Sequence, residues 1–376
     1  MRAVSRKMIV LGAAVAALFL TGCGSGSPAS MPAAPPDFFG VNPGTAPDSR
    51  DFREMANAGV ETMRGGLRWS SVQPRPGPYN WHLTDATIGG LAAQGLGYLP
   101  ILASTPSWVA SKPTTPPIAS PRVESAWQGF LGAAVARYGP DGSFWQPTPG
   151  GGQSPFHALC GCDADPVPIT SWQIWNEPNL VNYFTASPKV SSYAELLRIS
   201  DDAIKTADPH AEIVLAGLPG FAATTGPTAW QFLRQLLDQP GVNGAFDVVA
   251  LHPYSRDVGE LGRQIQKVRT VMADNGDGAK PLWLTELGWG SEPPDQFELN
   301  KGIQGQKRLL DQSFAYLLRV QEQWRLDRVY WFEWRDPPPS AHVPCGFCSS
   351  AGLLRDDRQP KPAYHAFTSF SLGAAS

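Results

Sequence analysis

Eight short runs of β-forming residues alternate along this chain with longer stretches in which apolar residues recur at three- and four-residue spacing. The β-like runs are residues 38–41, 61–64, 97–103, 171–176, 212–217, 246–252, 281–286 and 328–334. The helical stretches are residues 81–94, 122–138, 191–207, 228–237, 261–273 and 306–323. This alternation predicts an α/β fold, and eight strands suit one eight-fold β/α (TIM) barrel domain over residues 37–376. The alternative is a doubly wound sheet, but this chain does not have the glycine-rich phosphate-binding turn that such a fold carries after its first strand.

The first 36 residues predict an export signal and a tether. Residues 1–22 join a basic start to an apolar run, residues 8–20, that is too short to span a bilayer comfortably. The string L-T-G-C that ends at Cys23 resembles the lipobox of bacterial lipoproteins, and an ordinary secretory peptide is the alternative. The resemblance implies lipidation of Cys23, hence a protein exported and lipid-anchored to the outer face of the bacterial cell membrane. Residues 23–36 lack periodicity and predict a flexible tether.

The net charge and its distribution indicate which classes of binding partner to expect. The net charge is −3 and the Lys and Arg residues are scattered, so we expect no nucleic-acid binding. Membrane contact is expected only through the lipid anchor, and the chain is expected to be a monomer. The 38 glycines and 37 prolines predict many loops rather than disorder, because 42% of the residues are hydrophobic.

Four further cysteines form a C-x-C pair, Cys160 and Cys162, and a C-x-x-C pair, Cys345 and Cys348. In an exported protein an even number favours disulfides. A four-thiolate zinc site is the alternative, but it normally uses two C-x-x-C pairs. We expect a Cys345–Cys348 disulfide, whereas for Cys160 and Cys162 the sequence is consistent with a disulfide or with reduced thiols. Residues 139–168, rich in Gly and Pro, predict an insertion on the amino-terminal face of the barrel.

Two glutamates close two of the β-like runs. Glu177 lies in the string W-N-E-P-N after the fourth run, and Glu286 lies in L-T-E-L-G-W at the end of the seventh. They are 109 residues apart, or three β/α steps of about 36 residues, close to the roughly 31 per unit of a 250-residue barrel. Both are therefore expected on the side of the sheet where the strands end, which is where parallel-sheet enzymes keep their catalytic groups.

Paired carboxylates are the minimum equipment for cleaving a glycosidic bond. One protonates the leaving oxygen, and the other attacks or supports the positively charged sugar carbon. Glu177 must then hold a proton, which burial beside Trp175 would promote, whereas an ionised Glu286 needs hydrogen-bond donors. Taken singly, Glu177 could be a helix-start carboxylate and Asn176 a helix cap. Two glutamates at matching strand ends favour catalysis.

Nearly the whole chain after the tether resembles clan-A glycoside hydrolases, most of all family 39, with family 5 next. The resemblance rests on Asn176-Glu177 after the fourth strand and Glu286 at the end of the seventh. It implies that Glu177 is the acid/base, that Glu286 is the nucleophile, and that the anomeric configuration is retained. It also implies that Asn176 contacts the sugar 2-hydroxyl and that Arg64 and Tyr254 support the nucleophile. No cofactor is implied.

The supporting residues also have structural explanations. Arg64, at the end of the second run, could form an ion pair inside the barrel. His252 belongs with Tyr254 to the string H-P-Y after the sixth run and could simply pack at a strand end. We expect Arg64, His252 and Tyr254 beside the carboxylates, where they would support them or bind substrate.

Three of the thirteen tryptophans are candidate sugar platforms: Trp108 after the third run, Trp289 after the second glutamate, and Trp331 in the eighth run. Trp331 resembles the tryptophan that floors the first sugar subsite in the clan. Glu333 shares the strand parity of Trp331, so it is a further carboxylate that could point inward.

The sequence thus predicts a retaining glycosidase, a single catalytic domain that binds oligo- or polysaccharide and cleaves β-linked glycosides. One alternative is a lipid-anchored glycan-binding protein with lost activity, although such a protein has no need of both acids. The other is a transglycosylase that remodels wall polysaccharide with the same residues. No metal is expected, because the chain has no H-E-x-x-H motif and no clustered His/Asp set.

Overall fold

The computed structural model describes residues 32–187, 189–220, 226–295, 298–341, 343 and 345–373. The predicted signal peptide, Cys23 and most of the predicted tether lie outside these residues. The last part of the tether is described, and there the Ala33 carbonyl accepts a hydrogen bond of 2.7 Å from Gln321 Nε2. The end of the predicted tether therefore contacts the fold.

Within the described residues, nine strands alternate with ten α-helices. The strands are β1 Phe39–Val41, β2 Thr62–Arg68, β3 Gly97–Ala103, β4 Ser171–Ile174, β5 Glu212–Val214, β6 Leu218–Pro219, β7 Val249–His252, β8 Leu282–Leu287 and β9 Leu326–Trp331. The helices are α1 Ser49–Asn57, α2 Trp69–Val72, α3 His82–Ala92, α4 Pro121–Tyr138, α5 Pro155–Cys160, α6 Lys189–Ala207, α7 Ala229–Leu237, α8 Val258–Asp274, α9 Ile303–Trp324 and α10 Pro362–Ser371, with a 3-10 helix at Val242–Gly244. All six predicted helical stretches coincide with helices to within three residues at each end.

The strands form one parallel sheet in the order β5-β4-β3-β2-β1-β9-β8-β7-β6. The predicted α/β fold with a parallel sheet is confirmed. The predicted fifth strand, residues 212–217, is shorter in the structure: β5 ends at Val214 and pairs with β4, and a separate strand β6 follows the predicted run and pairs with β7. Only three residues separate β5 from β6, and Val214 also pairs in parallel with Val248.

The sheet is apolar on both sides. One side holds a cluster of Leu99, Val214, Val248, Ala250, Trp283 and Tyr330. Because β3, β5, β8 and β9 all supply this cluster, the sheet must curve around it. The other side packs against the helices, as where Trp331 meets Phe314 of α9 at 6.3 Å between ring centroids. Strands covered on both sides carry apolar residues at successive positions, so their sequence does not reveal which side chain points inward.

Local capping explains where several helices begin. At α1, Asp48 and Asp51 form a capping box, and Thr228 and Gln231 form one at α7. At α8, the Asp257 carboxylate accepts from the Glu260 amide. None of the helices that the structure describes is both long and apolar enough to cross a bilayer.

The insertion at residues 139–168 contains α5 and packs against α3. The Leu159 side chain covers Gly89, where a larger residue would clash with it. Cys160 and Cys162 form a disulfide, so the pair that the sequence left open is bonded. Cys345 and Cys348, in the segment after β9, also form a disulfide. With both pairs bonded, none of these four thiols is available as a zinc ligand.

Candidate active site

The chain bends sharply between β4 and Glu177. Trp175 and Glu177 have φ angles of +71° and +47°, in the left-handed region that residues other than glycine rarely adopt. The Glu177 amide donates to the Gly217 carbonyl at 3.2 Å, and the Trp175 indole donates to the Tyr183 carbonyl at 2.8 Å. These bonds hold a strained turn, and such strain clusters where a side chain must be aimed into a functional site.

The Glu177 carboxyl is buried, and few hydrogen-bond donors among the described residues contact it. Its Oε1 atom lies 2.8 Å from His252 Nδ1. Burial raises the pKa of Glu177; the His252 hydrogen bond opposes this shift, and the charge of Glu286 adds to it. The carboxyl therefore keeps its proton to a higher pH than an ordinary glutamate, as a general acid requires.

Glu286, in β8, is about as deeply buried, at 9% exposure against 6% for Glu177, but it faces strong donors. Arg64 Nη1 donates to Oε1 at 2.7 Å, and the Tyr254 hydroxyl donates to Oε2 at 2.6 Å. Burial alone would raise the pKa of Glu286, but electrostatic attraction to His252 and Arg64, together with the Tyr254 hydrogen bond, outweighs burial and lowers the pKa. The group is therefore ionised, as a nucleophile must be.

Arg64 organises the floor of the site. It lies inside β2, four residues before the strand ends, so its predicted place at a strand end was wrong. Its Nε donates to Gln173 Oε1 at 2.6 Å, its Nη1 to Asn42 Oδ1 at 2.9 Å, and its Nη2 to Asn176 Oδ1 at 2.7 Å. This rigid fork ties Asn176 to Glu286 across the sheet. Sequence reasoning missed Asn42, which directly follows β1, and Gln173, although a glutamine inside the fully buried β4 was a usable signal.

His252, the last residue of β7, lies between the two carboxylates. Its Nδ1 is 2.8 Å from Glu177 Oε1 and 3.4 Å from Glu286 Oε2. In the tautomer with hydrogen on Nδ1, His252 donates to Glu177 Oε1 and leaves Oε2 for the transferred proton. Gly217 lies against the far edge of the ring, where any side chain would clash with Nε2. His252 is thus both a packed strand-end residue and a partner of the carboxylates.

Glu177, His252 and Glu286 are also residue types that can bind a metal ion. One atom each from Glu177, His252 and Glu286 lie within 4.8 Å of one another. However, Glu286 already accepts from the guanidinium of Arg64 and from Tyr254, and the positive charge of Arg64 would repel a cation at this point. The donors suit an ion pair and a proton-transfer pair better than a metal.

Two predicted sugar platforms do not lie in the site. Trp289 and Trp331 are both 0% exposed and pack against each other at 6.0 Å. The Trp289 indole donates to the Ser255 carbonyl, and Trp331 faces α9, so neither ring presents a face to a ligand. These two predictions were wrong, because Tyr330 rather than Trp331 points to the inner side of the sheet. Trp108 is half-buried, with its indole bonded to the Gln73 carbonyl at 2.9 Å, and stays a candidate.

Other aromatic residues lie closer to the carboxylates. Phe332, directly after β9, packs edge-on against Tyr254 at 6.0 Å, and Phe347 packs against Tyr254 at 5.1 Å. Tyr183 is half-buried, and burial together with the charges of Glu177 and Glu286 raises its pKa. Sequence reasoning missed all three: Tyr183 and Phe347 belong to loops, and placing Phe332 required knowing which residues of β9 face the inner side of the sheet.

Glu333 is a third buried acid near this site. Burial raises its pKa to about 8, with contributions from the charges of Asp336 and Glu286. Its Oε2 lies against Gly44 and has no hydrogen-bond partner among the described residues. Glu333 therefore packs against the loop after β1 as a neutral acid at moderate pH.

Comparison with known proteins agrees with this geometry. The family model described as "Glycosyl hydrolase catalytic core" matches residues 163–354, just over half of the chain, a span that contains both glutamates and His252. The chain belongs to this glycosyl hydrolase family. A curated β-xylosidase of Geobacillus stearothermophilus is 24% identical over 226 residues, which are 54% of this chain and 42% of that enzyme. The chain thus spans less than half the length of this relative.

Solved structures share the fold at low identity. A monomeric β-xylosidase from Caulobacter crescentus has a TM-score of 0.64 at 17% identity, over 90% of this chain and 69% of its own. A family 39 glycoside hydrolase from Bacteroides cellulosilyticus has a TM-score of 0.62 at 21% identity, covering 90% and 64%. A family 5 enzyme from Bifidobacterium longum has a TM-score of 0.63 at 15% identity, covering 90% and 78%. The predicted resemblance to family 39, with family 5 next, is confirmed.

Proposed function

We propose that this protein is a retaining β-glycosidase with Glu177 as acid/base and Glu286 as nucleophile. One observation carries the proposal: two buried carboxyls, with one oxygen of each within 4.8 Å of the other, have surroundings that raise the pKa of Glu177 and lower the pKa of Glu286. The short gap suits the roughly 5 to 5.5 Å carboxyl separation of retaining enzymes, rather than the roughly 6.5 to 9.5 Å of inverting ones.

The reaction proceeds in two displacements. In the first, a Glu286 oxygen bonds to the anomeric carbon while the glycosidic bond breaks, and Glu177 gives its proton to the departing oxygen. In the second, Glu177 takes a proton from water, the water oxygen bonds to the anomeric carbon, and the Glu286 ester bond breaks. Asn176 is proposed to contact the sugar 2-hydroxyl, and the hydrogen bond from Arg64 to its side-chain oxygen supports this role because it leaves the amide nitrogen free to donate. An active pair with its supporting donors argues against a protein that only binds glycans.

The substrates are proposed to be β-linked glycosides of neutral sugars. The proteins that this chain resembles include β-xylosidases, a glucosidase and an exo-β-1,4-mannosidase, so β-xylosides, β-glucosides and β-mannosides are the first substrates to test. The sheet is proposed to be an eight-fold barrel in which β5 and β6 count as one interrupted strand, supported by the pairing of Val214 with Val248.

Two measurements test the mechanism. Proton NMR of the first-formed sugar should show the same anomeric configuration as the substrate. Glu286→Ala should lose turnover, and added azide should restore it by entering the vacated space and yielding a glycosyl azide of inverted configuration. Inverted product from the wild-type enzyme, or full activity in the variant, would contradict the assignment of Glu286.

Export and lipidation at Cys23 are also proposed, supported by the lipobox-like string at the end of the apolar run. Replacing Cys23 with serine should move the protein from the membrane fraction to the soluble fraction. Equal membrane attachment of wild type and variant would mean that Cys23 is not the anchor.

A further inference from the structure

A cavity of about 430 Å³ lies beside Tyr254. Its walls come from three segments, which follow β7, β8 and β9 and include Ser255, Leu299 and Phe347. The volume falls within the roughly 300 to 1,000 Å³ of pockets that bind small molecules. It is large enough for a sugar unit, and it is distinct from the gap between the two catalytic carboxyls.

Tyr254 joins this cavity to the reaction centre. Its hydroxyl donates to Glu286 Oε2 at 2.6 Å, while the residue also forms part of the cavity wall. Phe347 packs on the Tyr254 ring at 5.1 Å and belongs to the loop closed by the Cys345–Cys348 disulfide. A group attached to a sugar above Glu286 can therefore reach the cavity past Tyr254.

The position indicates which part of a substrate would enter. The acid Glu177 follows β4 and protonates the leaving group, so the leaving group lies on that side. The cavity lies on the side of Glu286 and its partner Tyr254, between the ends of β7, β8 and β9. It is therefore placed to receive the part of the glycone beyond the sugar that is cleaved.

The lining suits a neutral sugar. Phe347 and Leu299 supply apolar surface, and the Ser255 hydroxyl is buried without a hydrogen-bond partner among the described residues. Arg256 Nε pairs with Glu260 Oε2 at 3.3 Å, and Asp295 accepts from Asn300 Nδ2 at 2.9 Å. Glu260 and Asp295 against the single base Arg256 disfavour an acidic sugar, whereas sugar hydroxyl groups can donate to both carboxylates and accept from the guanidinium.

We propose that this cavity binds a second, neutral sugar unit of the glycone, so that the enzyme prefers glycosides of disaccharides to those of monosaccharides. The inference rests on the proposed glycosidase function and deepens it, because it assigns two sugar units to the non-reducing side of the cleaved bond.

Gly346 offers a direct test. It lines the cavity, its φ lies outside the left-handed region, and a Cβ added there would meet no atom of the described residues within 4 Å, its chain neighbours apart. Gly346→Trp should therefore fill the cavity without straining the backbone. Gly244, in the exposed 3-10 helix, has the same open surroundings, so Gly244→Trp is a matched control.

The full chain would be assayed on the 4-nitrophenyl β-glycosides of xylose, glucose and mannose and of the corresponding β-1,4-linked disaccharides. Wild type and Gly244→Trp should show a higher kcat/KM for at least one disaccharide than for its monosaccharide. Gly346→Trp should lower that ratio by about tenfold or more.

Four outcomes would overturn the inference or its basis. Equal kcat/KM for each matched pair in the wild type, or an unchanged ratio in Gly346→Trp, would overturn the second-sugar site. No turnover of any of the six substrates would count against the proposed function instead. Calorimetry with the three free disaccharides would then test the second-sugar site independently of catalysis. Equal affinity of wild type and Gly346→Trp for these disaccharides would reject that site.

Discussion

The ends of β4 and β8 place the same side chain at nearly the same depth and give it opposite properties. Glu177, after β4, is 6% exposed and has a raised pKa, whereas Glu286, in β8, is 9% exposed and has a lowered pKa. Burial pushes both pKa values upward. The difference comes from the donors, because Arg64 and Tyr254 bond directly to Glu286. Donor supply, more than burial, divides the roles of acid and nucleophile here.

The comparison also shows why His252 matters. Its Nδ1 is nearer to Glu177 than to Glu286, at 2.8 Å against 3.4 Å, so it contributes to both sites from one position. The two carboxyls therefore titrate as a pair, and apparent pKa values from kinetics will belong to the pair rather than to either residue.

Removing the acid should lower activity more than removing a donor to Glu286 or changing a ring outside the site. Glu177→Ala should lower kcat/KM by about 10²- to 10⁴-fold for a substrate with a poor leaving group, such as a β-linked disaccharide. A dinitrophenyl glycoside, whose leaving group needs little protonation, should lose far less. Measuring both substrates on one variant tests the role directly, and equal losses would mean that Glu177 does not act as the acid.

Removing a hydrogen-bond donor from Glu286 should reduce the difference in pKa between Glu286 and Glu177. Tyr254→Phe removes one hydrogen bond to an ionised group, worth about 1.5 to 3 kcal/mol, so a smaller fraction of Glu286 is ionised at low pH and kcat/KM on the acidic side of the pH profile should fall roughly 10- to 150-fold. That bond lowers the pKa of Glu286, so its loss should move the acidic limb of the pH profile to higher pH. An unmoved acidic limb would indicate that Tyr254 does not set the state of the nucleophile.

The smallest effect on activity is expected outside the site. Trp331→Phe changes a fully buried ring between the sheet and α9 and removes its hydrogen bond to the Ala351 carbonyl. The free energy of unfolding should fall by roughly 1 to 3 kcal/mol, while KM stays the same. Denaturant unfolding and steady-state kinetics check this, and a large rise in KM would restore Trp331 as a sugar platform.

Sequence patterns were sufficient where the signal was local. The helices followed apolar periodicity closely, and Glu177 and Glu286 could be located because strand ends meet on one side of a parallel sheet. The structure brings Arg64, Asn176, His252 and Tyr254 around them.

Other features depended on information that a strand sequence does not carry. Both sides of β9 are apolar, so nothing local showed that Tyr330 points inward and Trp331 outward. The break between β5 and β6 follows from pairing with different neighbours, which is a tertiary effect. Tyr183 and Phe347 reach the site from loops whose paths follow from packing and a disulfide rather than from periodicity.

The division of roles between the two glutamates is tested most directly by the pH dependence of kcat/KM for a phenyl glycoside, whose leaving group needs protonation, in the wild type and in Glu177→Gln. Activity requires Glu286 ionised and Glu177 protonated, so the wild-type profile should fall as pH drops through the lowered pKa and as it rises through the raised one. In Glu177→Gln the high-pH limb should disappear and the low-pH limb should remain. A high-pH limb that survives the substitution, or loss of the low-pH limb instead, would contradict the account.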